Sequence, residues 1–369
     1  MKLHLSKHRL RHTSGALALA LAAILSLLQQ IEAVPFTDAA GRVVELPEAI
    51  RRVYPTSPVA AIYVYTIAPE TLVGWNYRMS DHEKQYLLPE VRDLPALGGW
   101  FGKNGTANLE TLLASKPDVI FSFGTLRDTD IDFANRVQSQ TGIPVVVGDS
   151  RLEVSGDLYR MLGQLLNKKA RAEELADYCT RVFEDSRKLA ALIPEESRPR
   201  VYYAEGLKGL ETDSDISMHT ESFHHAAANL VYKAKERSGM GRARVSMEQV
   251  LLWQPEVIFV GRDKGESYEL PPEWLDNAQW QSLPAYRNNR VYQIPNTPFH
   301  WMDRPPSINR LIGIRWAFWC LYPEQAQAAF DIVEETRTFF ELFYHYPLPE
   351  EQAQELLHHS KLELAPNHD

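Results

Sequence analysis

The sequence predicts an α/β protein of two lobes with parallel sheets, placed on either side of one long helical connector. Three observations carry that expectation. Extended and helical patterns alternate through residues 52–149 and again through 200–296, as they do where a parallel sheet has helices on its faces. Residues 155–192, between the two tracts, carry apolar side chains at helical spacing with no strand. Finally, the stretch "NLETLLASKPDVIF" at 108–121 recurs as "SMEQVLLWQPEVIF" at 246–259, with six of fourteen positions identical.

The chain opens with basic residues (Lys2, Lys7, Arg9, Arg11), an apolar run at 16–28 and a small residue, Ala33. Residues 1–33 therefore read as a cleavable signal peptide, the apolar run being shorter than the roughly 20 residues a membrane span requires. The mature protein is expected free in the periplasm of a Gram-negative cell, since no cysteine lies near the cleavage point for lipid attachment. Setting the leader aside leaves 336 of the 369 residues, enough for two domains with sizeable cores.

Residues 34–154 form the expected N-terminal lobe. It starts with a hairpin in "VPFTDAAGRVVELP", where Asp38, Ala39, Ala40 and Gly41 supply turn chemistry. A strand at Arg52–Tyr54, the first copy of the repeated unit, a helix near 130–140 and the strand "PVVVGD" follow. Residues 155–193 are the connector. Leu158, Leu162, Leu165 and Leu166 mark a short helix, Asn167 a break, and Leu175, Tyr178, Val182 and Leu189 a longer helix. The longer piece, about 25 residues, would span about 37 Å at about 1.5 Å per residue, so it reads as a strut. The C-terminal lobe, 194–306, contains "RVYYAEG", a helix expected near 222–232, the second copy and "RVYQIPN"; residues 307–369 are helical and expected to pack on the lobes.

A formal charge of -9 and the lack of a dense Lys/Arg block in the mature part argue against nucleic-acid binding. The two cysteines, Cys179 and Cys320, fall in helical apolar patterns. An oxidising compartment permits a disulfide between them, but buried free thiols are commoner at such positions.

Each copy of the repeated unit has a capping residue (Asn108, Ser246), a glutamate in the first helical turn (Glu110, Glu248), a proline that stops the helix (Pro117, Pro255) and a buried strand. Taken singly, a first-turn glutamate needs no explanation beyond the helix dipole, worth roughly 0.3–1 kcal/mol. Taken as a pair at matched positions, they would put one exposed carboxylate on each lobe.

These units, the opening "TDAAGRVVELPEAIRRV", the central helix and the final "RLIGIRWAFWCLYPE" together resemble the periplasmic solute-binding proteins of ABC importers for iron chelates and corrinoids. The resemblance covers nearly the whole mature chain. It implies two Rossmann-like lobes joined by one long rigid helix, ligand in the cleft between them, and a monomer that delivers its ligand to a dimeric ABC permease. It also implies that Glu110 and Glu248 pair with permease arginines.

Ligands of open α/β sheets collect beyond the carboxyl ends of the strands. That rule selects Thr56, Ser57, Trp75, Asn76, Ser122, Phe123, Glu205, Arg262, Asp263 and the loop "NTPFHWMDRPP", with His300, Trp301 and Arg304. The Gly-rich "LGGWFGKNG" adds Trp100 and Phe101. Aromatic groups with a few polar partners suit a bulky, partly flat ligand, although ordinary packing explains Trp75 and Trp301 equally well. In "HTESFHH", Glu221 and His225 are four apart, with His219 just before them. No zinc-type histidine spacing is present, so surface or core roles come first for the histidines. His219 and His300, in cleft-facing loops, are the candidate direct ligands of a metal carried in by a chelator. Arg262 and Arg304 suit an anionic ligand through forked hydrogen bonds, or are simply solvated loop arginines.

The expected function is capture of a small-molecule metal complex, with no permanent cofactor of the protein's own. Iron–siderophore leads, the ligand then bringing iron or another transition metal, with haem, corrinoid and metal–amino-acid complexes behind it. A molybdate or tungstate oxyanion is the alternative, because a scaffold of this kind does not choose its ligand. An exported metalloenzyme is disfavoured: the chain has no nucleophile elbow, metalloprotease helix or Gly-rich phosphate loop.

Overall fold

A computed structural model describes residues 33–101, 105–234, 242–262 and 277–362; the basic and apolar parts of the leader, and Asp263, lie outside them. The chain begins with an antiparallel hairpin, β1 (Ala33–Thr37) and β2 (Val43–Pro47). Its turn is organised by buried Asp38, whose carboxylate accepts from the N–H groups of Ala40 and Arg42 at 3.0 Å each. The same carboxylate accepts from Val147 N–H at 3.1 Å, which clips the hairpin to the first sheet.

Strand β3 (Val53–Pro55) leads into helix α1 (Pro58–Ile67), capped by the Ser57 side chain and buried at nine of its ten residues. The first repeated unit is α2 (Leu109–Ala114) and β4 (Val119–Gly124), followed by α3 (Asp128–Thr141) and β5 (Val145–Asp149). Strands β3, β4 and β5 lie in that order in a parallel sheet.

Helices α4 (Ser155–Leu165) and α5 (Lys169–Ala191) come next. Asn167 breaks them as expected, in the left-handed region at φ 55° that asparagine tolerates better than most residues. The 23 residues of α5 extend about 35 Å.

The second half contains β6 (Arg200–Ala204), β7 (Glu211–Thr212), β8 (Asn229–Leu230), β9 (Ala243–Arg244), α6 (Met247–Trp253), β10 (Val257–Val260) and β11 (Val291–Gln293). Its parallel sheet has the order β11–β10–β6–β8, while β7 and β9 form a small antiparallel pair. Four helices close the described chain: α7 (Arg310–Leu321), α8 (Pro323–Ala329), α9 (Ile332–Tyr344) and α10 (Glu350–Ser360). Helix α7 is buried at eleven of its twelve residues and packs on α5, α9 and the short helix Glu221–His225.

One expectation is corrected. The helix predicted near 222–232 stops at His225, and Asn229 and Leu230 become strand. Ala227 turns the chain at φ 54°, and the free edge of β6 supplies ladder partners through Arg200 and Val201. A local apolar pattern carries no information about that edge.

The duplication extends to tertiary contacts. The Arg52 guanidinium donates to the carbonyls of Ser115 and Lys116 at the end of α2, and that of Arg200 donates to the Gln254 carbonyl at the end of α6. Asp118 accepts from Arg51 and Arg52 N–H, just as Glu256 accepts from Arg200 N–H. Lys116 and Gln254, at aligned positions, are both left-handed, with φ 45° and 46°. Each repeated helix is thus tied at its carboxyl end to the first strand of its own sheet.

Both cysteines are free and buried, and burial pushes the Cys179 thiol up to about 12.

Candidate functional site

The carboxyl end of β6 delivers Glu205, with no exposed surface, into a cluster assembled from distant segments. Asp213 follows β7, His219 lies in the single turn 218–220, and Asp303 and Arg304 lie on the loop after β11. Glu205 Oε1 accepts from Arg242 Nε at 2.6 Å and from Arg304 Nε at 3.2 Å. The Arg304 guanidinium also pairs with Asp213 through Nη2 and with Asp303 Oδ2 at 3.1 Å, and its Nη1 lies 3.4 Å from His219 Nε2. His219 Nδ1 meets Asp303 Oδ1, Tyr203 OH donates to Asp303 Oδ2 at 3.4 Å, and Ser217 Oγ donates to Asp213 Oδ1 at 2.9 Å.

The carboxylate oxygens of Glu205, Asp213 and Asp303 fall within 4.8 Å of one another, a spacing that also suits a metal ion. Here the chain itself provides the positive charge, through Arg304 and Arg242, which is what buried carboxylates require. Protonation divides the three acids. Burial, reinforced by the negative charge of Asp303, pushes Glu205 up to about 8. Burial also acts to raise Asp303, but the His219 hydrogen bond and the Arg304 charge outweigh it and hold that carboxyl below its ordinary range. Near neutral pH, Glu205 is therefore mainly the uncharged acid beside an ionised Asp303. Its Oε2 is buried and accepts from no described residue. Arg262, also buried, stands just past the carboxyl end of β10.

The N-terminal lobe offers a smaller polar surface. Asn76 Nδ2 donates to Pro55 O at 2.9 Å and to Gly98 O at 2.8 Å, pinning the Gly-rich loop to the end of β3. Glycine is needed there: Gly98 has φ +73°, and a Cβ on Gly99 would lie 2.5 Å from Thr56 O. Trp100 and Phe101 are half-buried on that loop, and Trp100 sets its ring edge-on to Tyr54 and Phe133, with centroids 6.2 and 5.4 Å apart.

Several expected site residues turn out to be structural. Trp75 is 1% exposed and donates Nε1 to Val91 O; Trp301 is fully buried and donates Nε1 to Thr297 O. Both rings pack in the core with their polar edges satisfied, as buried tryptophans are, so neither is a cleft aromatic. His300 is also buried, and its Nδ1 accepts from Met302 and Asp303 N–H at 3.2 and 3.0 Å, holding the loop that carries Arg304. That nitrogen is occupied, which removes the support for His300 as a metal ligand through it. Glu205, His219 and Arg304 do converge. Asp213, Arg242, Asp303 and Tyr203 were not anticipated. Asp303 had a signal, being the acid beside Arg304 in "WMDRPP", and Tyr203 stands two residues before Glu205 in "RVYYAEG"; Asp213 and Arg242 come from segments with no motif to mark them.

Glu110 and Glu248 are both exposed, each in the first turn of its repeated helix. The bond that Asn108 makes to Glu110 N–H matches in kind the Ser246 cap on Gln249 N–H.

Two parallel-sheet lobes, a long helix between their sheets and a polar cluster beyond the strand ends define a binding protein of the kind that serves importers. Residues 88–298 match the periplasmic binding protein family, and the chain belongs to that family. An ABC transporter solute binding protein from Sulfurospirillum deleyianum DSM 6946 is similar at TM-score 0.79 and 32% identity, covering 87% of this chain and 98% of that one. The molybdate-binding protein MolA of Haemophilus influenzae is 26% identical over 330 residues, 84% of this chain and 90% of its own. The structure of MolA bound to molybdate shares the fold at TM-score 0.65 and 22% identity, covering 86% of this chain and 99% of that one. The family works outside the cytoplasm, its members binding small ligands for ABC permeases rather than converting them.

Proposed function

We propose that the protein is a periplasmic carrier without enzymatic activity that captures a compact oxyanion of the molybdate and tungstate type and delivers it to an ABC permease, docking through Glu110 and Glu248. The observation that carries the ligand class is the cluster around Arg304. With Glu205 uncharged, Asp213 and Asp303 are balanced by Arg304 and Arg242. Arg262 stands as a further cation at the next strand end. An anion entering here meets guanidinium N–H donors held in fixed positions by their carboxylate partners, and charge-assisted hydrogen bonds from such donors are among the strong ones.

The aromatic groups that pointed to a bulky flat ligand give less support once Trp75 and Trp301 are in the core. A small, strongly charged ligand needs no such platform. The molybdate named for MolA supports the same class. An anionic ferric chelate, whose carboxylates or catecholates would meet the same cations, is the second reading.

Calorimetric titration of the purified protein with molybdate, tungstate, sulfate and ferric citrate tests the choice. Saturable one-to-one binding of molybdate and tungstate, without chemical conversion, is the expected result. Binding of ferric citrate with no response to either oxyanion would overturn it in favour of the chelate.

A further inference from the structure

Eight large apolar residues are exposed among the described residues, and three of them, Leu109, Leu113 and Leu252, lie on the two short repeated helices α2 and α6. Single exposed leucines are ordinary. Each of the two helices carries one beside its glutamate, at neighbouring rather than identical positions of the repeat, since Leu113 aligns with Leu251 and Leu252 with Ala114. Leu112 and Val250 have no exposed surface and fix the inward face of each helix. Glu110 and Leu113 are then three residues apart, and Glu248 and Leu252 four apart, spacings that put each pair on one helical face. Leu113 is 48% exposed and Leu252 77%, beside exposed carboxylates.

We infer that Leu113 and Leu252 are apolar contact points of the permease-docking surface, each lobe offering the partner one carboxylate and, one turn further on, one leucine. The inference rests on the docking reading above and adds its apolar half. The partner is the membrane permease of the importer, because the two glutamates stand at matched positions, one per lobe, each with an exposed leucine on its own helical face, and so fit a partner that presents one complementary surface twice. Its chemistry must be a cation next to an apolar socket. The mounting is rigid: Arg52 and Arg200 tie the carboxyl ends of the two helices to β3 and β6, so each pair is held at a fixed place on its lobe.

The two halves respond differently to salt. Exposed ion pairs are screened over a Debye length of about 8 Å at physiological ionic strength, whereas burial of a leucine against an apolar socket is not weakened by salt. The test measures binding of the purified protein to the importer's permease–ATPase complex in nanodiscs, at low and high sodium chloride, for wild type, L113Q/L252Q and E110Q/E248Q. Unchanged circular dichroism and melting establish that each variant is folded, as exposed substitutions allow. The expected result is at least a tenfold weaker Kd for L113Q/L252Q at both salt concentrations, and a loss for E110Q/E248Q that is largest at low salt. Weakening by the glutamate variant alone would overturn the leucine assignment and leave the docking reading standing. Wild-type binding by both variants would overturn the two together.

Discussion

Arg304 is the most informative residue to remove, because three buried carboxylates converge on it. In Arg304→Gln, Glu205 keeps Arg242, Asp213 keeps Ser217, and Asp303 keeps His219 and Tyr203. All three lose a guanidinium while remaining at 0–2% exposure. Breaking a buried ion pair by removing one partner costs about 3–5 kcal/mol. Glu205 softens that loss, since its proton is already held up to about pH 8. The low end, about 3 kcal/mol, is therefore expected at pH 7, and a smaller loss at pH 5, where the carboxyls protonate more readily. Urea unfolding at the two pH values reads both quantities. The double variant Arg304→Gln/Asp303→Asn should recover at least about 1 kcal/mol, because it removes the ionised carboxylate that loses its guanidinium partner and contacting sites couple on that scale. A single-variant loss below about 1 kcal/mol at pH 7, with no recovery in the double, would refute the assignment of Arg304 as the internal counter-charge.

Glu205 also gives a pH signature. Its proton is retained in the folded chain up to about pH 8 but released near its ordinary value in the unfolded one, so the folded state binds more protons in that window. Stability then falls as pH rises from about 4.5 to about 8, by up to about 1.4 kcal/mol per unit; Glu205→Gln should flatten the slope in urea titrations. Affinity for an oxyanion should likewise weaken above pH 8, as Glu205 ionises beside it, a trend calorimetry would register and Glu205→Gln would abolish. Arg310, 1% exposed, bridges the halves by donating to Glu221 at 2.6 Å and to the Ser150 carbonyl at 3.2 Å. Arg310→Met should cost about 3–5 kcal/mol, measured by denaturant unfolding, because Glu221 loses its partner. Charge reversal in the double variant Glu110→Lys/Glu248→Lys should abolish uptake by whole cells while ligand affinity in solution is unchanged.

How far the fold can be read from the sequence varies with the range of the interaction responsible. The hairpin, the break at Asn167, the long helix and the two helix–proline–strand units are all local patterns, and the structure has them where the patterns lie. The strand at 229–230 was misread as helix because it exists only through the edge of β6. Part of the site was legible by rule: Glu205 and Arg304 lie beyond strand ends. The tryptophans were legible in part: the Gly-rich loop sets Trp100 apart as the less packed one, and it is half-buried, whereas packing and cleft roles fitted Trp301 equally well and it is core.

Taken by itself, the sequence determined the alternation of elements, the doubling of the α/β unit and the placing of one glutamate on each copy. Each of these depends on residues within a turn or two of one another, where periodicity and capping act. Only the tertiary structure decided which loop side chains face the cleft and which charges meet. Arg304 finds Glu205 across 99 positions and Asp213 across 91, and the partners of a buried charge are chosen by where the folded backbone brings them, which spacing along the chain does not encode.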